Sequence, residues 1–175
     1  MRLFCGFFVI LLLTAVSTAD EVKFVPIDGA KSREIFAKFK GMTGNWEGKS
    51  TAGWEGTTQS SVIAKGSVMM SLSRFNDTPN EGMATMFFMD GDRLLLTHFC
   101  EAGNQPTLVA SGIDETGNSV EFTFLSGTNL PSRDTGHMDH VIYKFQDNNN
   151  FTSHWTWYTK GKETWLEKIT YQRAK

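Results

Sequence analysis

From residue 44 to residue 173 the chain alternates short runs rich in Phe, Val, Ile, Trp and Thr with turn-forming residues, and this series constrains the fold most. The alternation predicts ten strands, near 45–52, 57–65, 67–75, 83–89, 93–100, 107–113, 119–125, 138–146, 151–159 and 163–172. Asp90-Gly91, Thr116-Gly117-Asn118, Asn148-Asn149-Asn150 and Lys160-Gly161 stand between runs, where a hairpin needs a tight reversal. Two connections are longer, 76–82 and 126–136, the second holding Pro131. Strands joined hairpin to hairpin leave two bare edges unless the ends of the series meet, and closure removes both edges. The expected class is all-β: a closed or nearly closed antiparallel up-and-down β-barrel of about eight to ten strands with one short N-terminal helix.

That helix is expected over 32–40. Ile35, Phe36 and Phe39 fall on one side, with Lys31, Arg33, Glu34, Lys38 and Lys40 on the other. Ser32 or Asp28 can cap its start, and Gly41 offers a left-handed stop. Ahead of it, Met1-Arg2, an apolar stretch over 3–16 and Ser17-Thr18-Ala19 have the three-part form of a secretory signal peptide, cleaved after Ala19. The stretch is shorter than the roughly 20 residues that span a bilayer. The expected organisation is a signal peptide over 1–19 and a single barrel domain over 20–175. After cleavage no transmembrane segment remains, and the product is a secreted or periplasmic monomer.

The formal net charge is −2, one unit more negative once Arg2 leaves, and no dense basic stretch exists. A nucleic-acid partner needs a positive stripe to displace counterions, so that class is set aside. Cys5 lies in the leader, so Cys100 alone is left and no internal disulfide can form. The fold then rests on its core, and the lone thiol is expected to be buried and inert. Asn76 and Asn150 begin Asn-x-Thr sequons in expected loops.

Charge sets the phase of several strands. Glu121 and Thr123 face out, leaving Val120, Phe122 and Phe124 inward. Lys144 outward places Met138, His140 and Ile142 outside, with Asp139, Val141, Tyr143 and Phe145 inside. Lys168 and Thr170 outward turn Trp165, Glu167, Ile169 and Tyr171 inward. Two carboxylates, Asp139 and Glu167, then share the interior with aromatic rings, which calls for a wet barrel mouth or a polar partner.

The helix, the run Gly44-Asn45-Trp46-Glu47-Gly48 and the strand meander resemble the calycin superfamily of lipocalins, fatty-acid-binding proteins and nitrobindins. They also resemble exported bacterial lipocalin-like domains of unknown function, with a similar segment Leu96-Thr97-His98-Phe99-Cys100 followed by Gly103-Asn104-Gln105-Pro106. The resemblance implies that Trp46 plugs the closed end of the barrel beneath Arg173, a structural pair. The second lipocalin signature, the usual disulfide and the further glycine that nitrobindins carry after Gly48 are all missing.

The densest polar patch in apolar surroundings runs from Thr97 to Pro106. His98 and Cys100 are two apart and share a strand face, where they could meet one ligand or a soft metal, and Asn104 and Gln105 add amide groups in the next turn. The plainer reading is a turn made by Gly103-Asn104 beside a hydrogen-bonded core histidine. His137 and Asp139 form a second same-face pair, in which a carboxylate orients an imidazole. His137 and His140 are three apart and fall on opposite faces unless the strand bulges. His154 is expected outward and structural. Met69, Met70, Met83, Met86 and Met89 do not share one face, which suits an apolar wall better than a copper site.

The chain holds no Gly-x-Ser-x-Gly, His-Glu-x-x-His, phosphate-cradling glycine loop or Cys-x-x-Cys. The expected function is carriage of a small apolar or amphipathic molecule, its polar end held by His98, Cys100, Asn104, Gln105, His137 and Asp139. Trp155, Trp157 and Phe122 or Phe124 would furnish the walls. The alternatives are a barrel enzyme using an inward His and a carboxylate, or a haem or metal carrier through His98 or His137. Composition names no cofactor.

Overall fold

All ten expected strands form, and they close on one another. A computed structural model describes residues 22–78 and 82–175; the leader expected over 1–19 lies outside the described residues. The elements are β1 (Phe24–Pro26), α1 (Gly29–Gly41), β2 (Gly44–Ser50), β3 (Glu55–Ile63), β4 (Val68–Phe75), β5 (Gly82–Asp90) and β6 (Arg93–Phe99). They continue as β7 (Gln105–Asp114), β8 (Ser119–Thr128), β9 (His137–Phe145), β10 (Asn150–Thr159) and β11 (Lys162–Arg173). Each strand from β2 to β11 pairs antiparallel with the next, and β11 returns to β2 with Tyr171 opposite Gly48. The ten form a closed meander, so the pairing itself removes the edges. The short β1 has no counterpart among the expected strands; it adds to β7 over Gly112–Asp114, beyond the stretch that β6 occupies.

Asp28 caps α1, its carboxylate accepting from the Lys31 amide at 2.7 Å. Gly41 is the last helical residue, not the expected left-handed stop, and Met42 follows with φ −79. The positive φ falls instead at Gly44, at 128, where a Cβ would lie 2.8 Å from an Arg173 guanidinium nitrogen. Glycine is needed there for conformation and for space together.

α1 lies across one end of the barrel. Phe39 enters the interior, stacked on Phe87 at 4.1 Å and edge-on to Phe122, Tyr143 and Phe145. Burying each of these rings stabilises the fold by about 1.5–3 kcal/mol. Beside the helix, Trp46 donates its indole N–H to the Met42 carbonyl at 2.8 Å, and the Arg173 guanidinium covers the ring at 4.2 Å. Arg173 also donates to the carbonyls of Thr43 and Asn148, which ties β11 to the helix exit and to the β9–β10 turn. Rings fill the interior here, and a pocket of about 290 Å³ lies at this end, lined by Lys38, Trp46, Phe145, Asn148 and Arg173.

Two bulges change the phase at the other end. Trp155 pairs with Val141 but Trp157 pairs with Met138, a step of two residues on β10 against three on β9. Trp155 pairs with Glu167 while Thr156 pairs with Trp165, which leaves Leu166 extra on β11. Three expectations fail for this reason. Met138 lines the interior instead of the outside, Asp139 is not part of the cavity lining, and Trp165 is half-exposed on the outer face, where it stacks on His154 at 3.8 Å.

Candidate functional site

Above the aromatic floor the barrel keeps a cavity of about 40 Å³, room for roughly three water-sized groups. One wall is hydroxylic. Thr58 and Ser73 face each other across β3 and β4 at 2.8 Å, Ser71 meets Ser60 at 3.0 Å, and Thr85 follows on β5. The opposite wall carries Tyr143, Phe151, Trp155 and Tyr171 from β9 to β11. Burial pushes the hydroxyls of Tyr143 and Tyr171 up, so both stay un-ionised.

His98 completes the polar wall. It is 5% exposed, its Nδ1 is 2.9 Å from Thr85 Oγ1, and its ring is 5.0 Å from Trp155. Nε2 is buried and has no partner. Burial pushes the imidazole down to about 4, because a charged ring there would lose its hydration. At neutral pH it is an uncharged hydrogen-bonding group.

Toward the open end the cavity widens into a vestibule of about 440 Å³, and Trp54, Phe75, Met83, Met138 and Glu167 line both spaces. Glu167 has the inward phase expected of it. Its Oε2 accepts from Ser50 Oγ and, at 2.6 Å, from Trp54 Nε1, so one oxygen of the buried carboxylate is satisfied at the throat. Cys100, expected buried, is only partly so: it shares the vestibule with Trp157, and partial burial raises its thiol, which keeps it protonated.

The remaining expected residues do other work. Asn104 is buried and donates to the Gly136 carbonyl at 2.8 Å, joining the β6–β7 turn to the β8–β9 loop. Gln105 Oε1 accepts from Thr128 Oγ1 at 2.6 Å, bracing the start of β7. Neither lines the cavity or the vestibule. His137 is wholly buried, and Asp139 Oδ1 lies 3.2 Å from its Nε2, close as the same-face spacing suggested but linked to it through a shared donor. Arg133, which sequence reasoning missed, donates to His137 Nε2 and to Asp139 Oδ1. A guanidinium cannot accept, so the imidazole proton sits on Nδ1 and is donated to the Thr135 carbonyl at 2.6 Å. Arg133 also lies 4.4 Å from the Phe124 ring and 3.8 Å from Tyr158. With every polar group of His137 engaged, this cluster locks the long loop over the seam between β8 and β9.

Phe122 belongs to the floor and Phe124 to that seam, so neither is a cavity wall. His140 sits apart from the cavity, between Glu121 and Glu163 at 3.0 and 3.4 Å. Among the described residues no group of three His, Cys, Asp or Glu could hold a metal ion.

Fold and cavity define a ten-stranded up-and-down β-barrel, plugged at one end and hollow at the other. No protein-family model matches the chain, and no curated protein matches it. Among solved structures it is similar to a protein of unknown function from the DUF3598 family of Nostoc punctiforme PCC 73102, with a TM-score of 0.53 and 12% identity. The match covers 78% of this chain and 49% of that one, so the chain spans about half the length of the structure it resembles. At that identity the likeness concerns the fold alone.

Proposed function

We propose that this chain is an exported, lipocalin-like binding protein that holds a compact amphipathic molecule at the open end of its barrel. The observation that carries the reading is His98: a buried imidazole with an unpartnered Nε2, set in the wall of a cavity that leads to an apolar vestibule. An unsatisfied buried polar atom costs about 1–3 kcal/mol, and a ligand group bonded to it removes that cost. The two volumes divide the ligand's parts. A cavity of about 40 Å³ takes one small polar group, and a vestibule of about 440 Å³ takes a body of the size that small-molecule sites hold. The aromatic floor excludes a long chain threaded down the barrel, which narrows the apolar ligand expected from sequence to a short one. Export rests on the form of residues 1–19.

Native mass spectrometry and visible absorption of the protein purified from cells test the reading. One retained organic mass per chain is expected, lost in His98→Ala; a spectrally silent, empty barrel refutes it. A Soret band lost in the same variant would favour the haem alternative instead.

A further inference from the structure

We infer that the molecule held at the open end is a protonated amine on a short apolar or aromatic body. The inference rests on the binding role proposed above and names the class of ligand. Among the described residues lining the vestibule, Asp77, Glu101 and Glu167 are acidic and none is Lys, Arg or His. Among the described residues, Glu167 is also the one charged group lining the cavity beneath, since His98 is held neutral there. A cleft with low-dielectric walls and charge of a single sign concentrates ions of the opposite sign and repels those of its own. The one guanidinium of the β8–β9 loop, Arg133, is committed to Asp139 and His137.

The acids stand among rings. Trp54 packs edge-on to Phe75 at 4.8 Å, and Trp157 lines the same vestibule. Aromatic faces attract ammonium groups through the ring quadrupole. Trp54 also donates to Glu167, which couples a ring to the carboxylate at the throat. Both of those hydrogen bonds fall on Oε2, so Oε1 has no protein donor among the described residues. His98 supplies the independent observation: its buried Nε2 has no partner, and it accepts when the ring donates Nδ1–H to the Thr85 hydroxyl, the tautomer that an ammonium group selects. In that tautomer two acceptors in a cavity of water-like size match the N–H donors of an ammonium head, and a carboxylate or phosphate would find no cation among the described lining residues.

Calorimetric titration of the purified protein at pH 7 with 2-phenylethylamine, 2-phenylethanol and phenylacetate tests this on one common body. The amine is expected to bind at least about tenfold tighter than the alcohol, the scale of one charge-assisted hydrogen bond, with phenylacetate weakest. Glu167→Gln should bring amine and alcohol within about threefold of each other. If that variant fails to fold, the exposed rim pair Asp77→Asn with Glu101→Gln decides: the amine-to-alcohol ratio should fall about two- to threefold, and an unchanged ratio overturns the inference. Equal binding of amine and alcohol by the parent overturns the amine class and leaves the binding role standing. Binding of none of the three, with an organic mass retained from cells, also overturns the amine class alone. Binding of none with no retained mass overturns both.

Discussion

Replacing Thr85 by Val and His98 by Leu together should make the protein more stable while abolishing its binding. The pair is removed as a unit so that no hydroxyl is left without its 2.9 Å partner. The change gives up one hydrogen bond worth about 1 kcal/mol net and relieves an orphaned Nε2 costing about 1–3 kcal/mol, and leucine buries apolar surface in the same space. A gain of about 1–2 kcal/mol is expected at pH 7. The dependence on pH is the sharper test. The folded imidazole titrates near 4 and the unfolded one near 6.5, so between these values the unfolded chain binds the proton first. The parent therefore loses stability as pH falls from about 6.5 to about 4, by about 3 kcal/mol in all and about 2 kcal/mol between pH 7 and pH 5. The double variant has no such group, while the remaining titrations are common to both proteins. Urea unfolding at the two pH values should show the stability gap widening by about 2 kcal/mol at pH 5, or roughly 4–8 °C in melting temperature. A gap that stays constant with pH would refute the buried, neutral state of His98.

Gly44→Ala should cost about 1–3 kcal/mol, because φ is 128 and the new Cβ meets Arg173, whereas Gly41→Ala, with open space around its Cβ, should stabilise the helix by about 0.5–1 kcal/mol; denaturant midpoints separate the two. Phe39→Ala should cost about 3–5 kcal/mol by emptying the aromatic floor, measured by the same unfolding curves, and a loss below 1 kcal/mol would contradict the packing around α1. Arg133→Met should cost about 1–3 kcal/mol, discounted because the guanidinium is half-exposed, and should speed amide exchange in the β8–β9 loop. Unchanged exchange would show that the loop is held by something else.

Period-two alternation and turn residues are local signals, and they located all ten strands of the barrel; amphipathic spacing located the helix, and the pairing of Trp46 with Arg173 followed from the resemblance to calycins. His98 stood out as a polar residue within an apolar run, and it lines the cavity. Glu167 was legible as an inward carboxylate because its phase could be counted from Lys168 across an unbroken stretch. Counting failed where a bulge intervened. One extra residue on β9 and one on β11 moved Met138, Asp139 and Trp165 away from their expected faces, and nothing in their local sequence marks the irregularity. Asn104 and Gln105 carried the right chemistry, but Asn104 Nδ2 and Gln105 Oε1 brace turns away from the cavity, a fact that depends on Gly136 and Thr128 lying close in space.

The sequence by itself determined that this chain is a single-layered β meander with one amphipathic helix, since strand periodicity and turn chemistry act over a few residues. Tertiary structure decided how the barrel is divided. Phe39 entering from the helix fills one half with rings, and the bulges bring Met138 beside Glu167 at the throat. Arg133, from a loop with no periodicity to read, seals the seam between β8 and β9. The physical reason is that a strand's own pattern sets which residues alternate, while register, bulges and long-range packing set what those residues face.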